Sequence, residues 1–236
     1  MTIEVVDDLI RLRKPVSEEE IRQIRHFWKI HSPSFGKKKT KPRFTIMTSM
    51  LIFLVMMTFQ KIGRNVFTYE HVSVVLFAYV FVDFASGLIH ICLDNGRIRY
   101  DFSYIDSLRI GFQFHHMFPN HNWLVDKDFD AAYEALTVLP ACIIALIINY
   151  NTFLSSAILW VCIFAPITQM SHYWCHAIVW NEHVPEMVKV FQKYRILMRP
   201  ECHQIHHQGL YDKNFAIFHG HTNCLLNFFF GRYKKT

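Results

Sequence analysis

Apolar positions gather into four long, nearly uncharged runs: Phe44 to Gln60, Val72 to Leu93, Ala135 to Tyr150 and Phe153 to Met170. Each approaches the roughly 20 residues that a helix needs to cross the hydrocarbon of a bilayer. The pattern predicts an all-α, polytopic membrane protein with about four transmembrane helices. Phe44 to Gln60 and Ala135 to Tyr150 are short for a crossing, so either could instead lie at the interface. Ahead of the first run, Ser17-Glu18-Glu19-Glu20 has the form of a capping box, and Ile21, Ile24, Phe27 and Trp28 then recur at helical spacing. A short amphipathic helix is therefore expected there. The chain divides on this reading into a cytosolic N-terminal segment, 1–43, and a membrane domain, 44–236. The charged start MTIEVVDDLIRLRKP lacks the apolar core of a cleavable signal, so the first span is expected to direct insertion.

Composition strengthens the membrane reading, because 52% of the 236 residues are hydrophobic, with 22 Phe and only 8 Gly. Charge sets the orientation. Lys37, Lys38, Lys39, Lys41 and Arg43 crowd the entry to the first span and are expected to stay cytosolic. The turn after that span holds only Lys61 and Arg64, and the turn Asn149 to Thr152 has no charge, as far-side loops should. Arg97 to Lys127 and the tail from Lys189 onward are basic and fall on the cytosolic side. The net charge of +6 is thus a positive-inside bias, and it gives no reason to expect nucleic-acid binding. The six cysteines are scattered and form no C-x-x-C pair, so a reduced chain without disulfides is expected.

The histidines take on meaning against that topology. His90 lies at the cytosolic end of the second span. His115, His116 and His121 follow in the cytosolic loop, His172 and His176 end the fourth span, and His203, His206 and His207 lie in the tail. Four separate regions thus bring imidazole to one membrane face, whereas His71, near the far end of span two, reads as structural. His172 and His176 are four residues apart, on one helix face with Cβ atoms about 6 Å apart, where both can reach one metal. His203 with His206 or His207 repeats the spacing, and HQIHH can supply ligands in two directions. His115 and His116 can likewise send one ring toward each of two ions.

So many histidines exceed the four ligands of one structural zinc and point to two metals. Asp94, Asp83, Asp126, Asp128 and Glu201 are near enough in sequence to ligate or to orient imidazoles. Zinc would activate water for hydrolysis. Sites at the mouths of apolar helices meet alkyl and acyl chains, however, whose unactivated C–H bonds call for oxidation by iron and O2.

DFASGLIHICLDN from Asp83 to Asn95, HHMFP from His115, HYWCH from His172, and HQIHH followed by NFAIFHGHTN resemble the plasmanylethanolamine desaturase family, also called the Kua or lipid desaturase domain family. The resemblance covers about residues 70 to 232. It implies a helical membrane domain whose histidines hold a di-iron centre, and an O2-dependent oxidoreductase that turns an alkyl ether lipid into a vinyl ether in plasmalogen biosynthesis. A plant branch acts on acyl chains of phosphatidylglycerol. It further implies a phospholipid substrate, an electron donor such as cytochrome b5, and residence in the endoplasmic reticulum membrane. The family's H-x-x-x-D falls on His90 and Asp94, its double His on His115 and His116, its H-x3-H on His172 and His176, and its H-x2-H-H on His203, His206 and His207.

The chain departs from the family pattern at several points. Ile91 stands where members carry Trp, Lys127 stands near the place of a family histidine for which His121 would substitute, and Tyr211 and His221 replace a His and a Trp. Gly220 and Asn223 match, which adds Asn223 to the residues expected to support the centre, and His219 is extra. Two alternatives remain beside desaturation: a lipid or fatty-acid hydroxylase of the same metal chemistry, and a catalytically inactive metal-binding membrane scaffold.

Overall fold

The computed structural model describes residues 68–94, 153–179, 183–208 and 212–231, with single positions at 53, 55, 56, 112, 115, 116 and 181. Among them the chain forms five helices and no strand: α1 (Tyr69–Asp94), α2 (Phe153–Val179), α3 (Glu186–Lys193), α4 (Pro200–His207) and α5 (Asn223–Phe230). The all-α expectation holds for these residues. Two compact units are present, one of Met1–Lys38 with Ile89–Val125 and the other of Lys39–Leu88 with Asp126–Thr236. Among the described residues α1 is the one helix long and apolar enough to cross a membrane by length and composition. Phe153 to Met170 lies within α2. Ala135 to Tyr150, nearly all of Phe44 to Gln60, and the expected amphipathic helix near Ile21 fall outside the described residues.

Helix α1 is apolar on the outside and buries its polar side chains together with small apolar ones. Val72, Leu76, Phe77, Val80 and Phe81 are exposed, whereas His71, Val74, Ala78 and Val82 are buried on the opposite face, and Asp83 and Ser86 are buried farther along the helix. A soluble core helix would reverse this arrangement, because water stabilises polar side chains at the surface. In hydrocarbon the polar groups must turn inward, where protein partners replace water. The far end shows this with one bond, Trp160 Nε1–H donating to His71 Nε2 at 3.2 Å, which accounts for His71 without any metal.

The inner face of α1 packs on a segment that is not helical at all. Phe215, Ala216, Ile217, Phe218 and His219 are buried, and their backbone is satisfied by side chains. Ser86 Oγ accepts from Ile217 N at 3.3 Å, while Ser171 Oγ, on α2, donates to Phe218 O at 2.7 Å. Asn223 holds both backbone groups of Ala216, accepting from its N–H at 2.8 Å and donating to its C=O at 3.1 Å. Irregular backbone can be buried only on such terms, since an unpaired amide costs a few kcal/mol away from water.

Close approach also explains Gly87. A Cβ there would collide with Leu226 Cδ1 and stand 3.1 Å from Ala216 N, and Leu226 is itself fully buried. Gly87→Val is expected to cost at least about 1–3 kcal/mol by overpacking, and Gly87→Ala less. Thermal melts of the purified protein in detergent check this, and an unchanged midpoint for the Val variant would refute the contact.

Helices α3 and α4 complete this unit. Pro200 occupies the first turn of α4, where its missing N–H costs nothing, and fixes where the helix carrying HQIHH begins. α4 packs against α2. α3 buries Val188 and Gln192. The junction between α3 and α4 is tied down by Met198, whose N–H donates to Phe218 O at 2.7 Å and to Ser171 Oγ at 3.2 Å.

Candidate metal centre

The two H-x3-H pairs meet where α2 and α4 pack. Helical spacing puts His172 above His176 on α2 and His203 above His207 on α4, and the four Nε2 atoms turn toward one another. His172 and His176 Nε2 are 3.2 Å apart, His176 and His203 2.8 Å, and His203 and His207 3.0 Å. His172, His176 and His203 are buried, and His207 is partly so. A ring nitrogen carries either one proton or one lone pair, so His203 Nε2 cannot make good hydrogen bonds to both of its neighbours. A cation at the convergence would meet all four lone pairs at once, and the residues fit a metal on that ground.

The electrostatics agree. Burial pushes the His203 imidazole well below its ordinary pKa, and the neighbouring imidazoles of His172, His207, His176 and His206 push it further. The neutral ring, which is the ligating form, is therefore favoured.

In the other unit, His90 and His116 bring ring nitrogens within 4.8 Å of each other, and both are buried. His116 Nε2 is 3.5 Å from Asp94 Oδ1, the carboxylate one turn beyond His90 on α1. The Phe112 ring meets His90 edge to face at 4.9 Å, and the His115 and His116 ring centroids are 5.9 Å apart. His121 lies outside the described residues.

The remaining polar residues act on backbone. Asp83, fully buried, accepts from the N–H groups of His219 and Gly220 through Oδ1, both at 2.9 Å. Its Oδ2 accepts from Thr222 N at 3.0 Å and from Thr222 Oγ1 at 2.7 Å. The imidazole it approaches is that of His219, 3.4 Å away at Nδ1. Asp83 and Asn223 thus clamp opposite ends of the 216–222 segment, whose first four residues are buried. His219 itself stacks on Tyr79 with centroids 4.0 Å apart, a position no spacing rule would have found. His206 Nδ1 meets the Lys213 carbonyl at 2.7 Å, a contact equally invisible in the linear chain.

Among its described residues the helical chain carries one candidate membrane span and buried clusters of imidazoles that could hold a metal, features it has in common with histidine-rich, metal-binding membrane proteins. The lipid desaturase domain matches residues 79–231, and the chain belongs to that family. Plasmanylethanolamine desaturase of Myxococcus xanthus is 28% identical over 166 residues, which cover 66% of this chain and 56% of that protein. The chain therefore spans little more than half the length of this curated relative. No solved structure matches it.

Proposed function

We propose that the protein is a membrane-bound lipid desaturase that introduces a double bond into an alkyl-ether (plasmanyl) or acyl chain of a phospholipid. Two adjacent C–H bonds would be lost, O2 and two electrons consumed with two protons, and two waters released. The electrons would come from a donor such as cytochrome b5, at the cytosolic face of the endoplasmic reticulum membrane. The observation that carries this reading is the convergence of His172, His176, His203 and His207 within a chain that the lipid desaturase domain covers.

On this proposal His90, His115, His116, His121, His172, His176, His203, His206 and His207 hold two irons, which supply oxidation of unactivated C–H bonds by O2. Asp94 orients His116 from 3.5 Å. The exposed apolar side of α1, with Leu76, Phe77, Val80 and Phe81, offers lipid chains a surface that leads along the helix toward His90.

Expression in cells lacking vinyl ether lipids, beside the His172→Ala variant, tests the activity by mass spectrometry of the lipids. A new species two hydrogens lighter, acid-labile and missing from the variant is the expected result. An acid-stable unsaturated acyl chain would move the substrate to the acyl branch. A product heavier by one oxygen would replace desaturation with hydroxylation, and a purified protein holding zinc or no metal would leave only a scaffold.

A further inference from the structure

Among the α4 histidines, His206 has a backbone partner of its own. Its Nδ1 lies 2.7 Å from the carbonyl oxygen of Lys213, and a carbonyl can only accept, so Nδ1 carries the proton. The neutral ring then has its lone pair on Nε2. Lys213 does not reach that position unaided, because the next residue, Asn214, is in the left-handed region at φ 57°. Asparagine tolerates that conformation better than most residues, yet side-chain contacts are still needed to hold one loop geometry.

Three contacts do so, and all of them pass through two amide side chains. Asn214 Nδ2 donates to Cys202 O at 2.9 Å, tying the loop to the first turn of α4. Asn227 Oδ1, on α5, accepts from Asn214 N at 2.8 Å, and Asn227 Nδ2 donates to Asn214 Oδ1 at 3.1 Å. The paired amides brace the peptide that joins Lys213 to Asn214 from both sides, between the helix that bears His206 and the last helix of the unit.

We propose that Asn214 and Asn227 are positioning residues for a metal-binding His206: they aim the Lys213 carbonyl at Nδ1 and thereby reserve Nε2 for the ion. The inference rests on the proposed role of His206 as a ligand. Neither asparagine touches metal or substrate. Each acts through one hydrogen bond that fixes a ring orientation and a tautomer, the device by which proteins commonly prepare ligating histidines.

The test uses full-length protein in detergent, with metal retention under a graded chelator as one readout and the His206 tautomer, from ¹⁵N-histidine NMR of metal-stripped protein, as the other. Asn227→Leu is expected to release metal roughly 10–100-fold more readily, the range found when such supports are lost, and to show His206 as a mixture of tautomers. Asn227→Asp keeps an acceptor for Asn214 N–H but sets its second oxygen against Asn214 Oδ1, so it is expected to restore part of the retention and of the Nδ1–H form. If Asn227→Leu does not fold, Asn214→Gly takes its place, since glycine adopts φ 57° while losing both side-chain bonds. Wild-type retention with an unchanged tautomer in the Leu or Gly variant would overturn the inference. Equal loss of metal in the Leu and Asp variants, with the tautomer unchanged, would reduce the pair to general stability and overturn it also. A His206→Ala protein that keeps its full metal would instead overturn the role of His206 as a ligand.

Discussion

His203→Ala is expected to abolish lipid oxidation and empty much of the metal centre while leaving a folded protein. His203 Nε2 faces His176 Nε2 at 2.8 Å and His207 Nε2 at 3.0 Å, so it links the α2 pair to its own partner on α4. Removing it opens a buried space among the remaining imidazoles, and with a ligand missing the rest bind an ion far more weakly. Metal-to-protein ratios by mass spectrometry, read beside product formation in lipid extracts, measure both effects. His71→Ala is the control. It loses the Trp160 bond and some stability, but its metal content is expected to match the wild type. Wild-type metal in His203→Ala, or loss of metal in His71→Ala, would show that the centre has been assigned to the wrong rings.

Asp83→Ala is expected to produce the largest loss of stability. The carboxylate is fully buried and receives three backbone N–H groups and one hydroxyl, from His219, Gly220 and Thr222. Truncation would leave all four donors without the acceptor that the buried carboxylate supplies. Loss of a buried charged partner of this kind costs about 3–5 kcal/mol, a large part of the stability of an ordinary domain. Asp83→Asn keeps one acceptor oxygen but turns an amide toward donors, so an intermediate loss is expected. Protein yield and the thermal midpoint in detergent check the order wild type, Asn, Ala. A midpoint in the Ala variant equal to that of wild type would mean that the 219–222 turn does not depend on the carboxylate.

These two expectations differ in how far the linear chain announces them. The H-x3-H spacings at His172/His176 and His203/His207 are local: one helical turn places each pair on one face whatever else the chain does. That both pairs belong to a buried site could be argued from their clustering beside apolar runs. Their mutual approach could not, because it depends on how α2 packs against α4, and Nε2 contacts such as His176 to His203 join residues 27 apart. Asp83 shows the same limit in sharper form. Its place beside Ser86 and Gly87, before His90, invited a role toward imidazoles, but its backbone donors lie 136, 137 and 139 residues away, and nothing in the linear chain pairs them with it.

The sequence by itself determined the helical character, the long uncharged run that becomes α1 and the pairing of histidines within each helix, since these follow from residue type and the 3.6-residue period alone. It also carried the family, whose motifs are short strings of contiguous residues. The tertiary structure decided which polar groups meet: Asp83 with the 219–222 turn, Asn214 with Asn227, and the Lys213 carbonyl with His206. The reason is physical. A buried polar group must find a partner wherever packing provides one, and that partner is chosen by the path of the chain rather than by its neighbours in sequence.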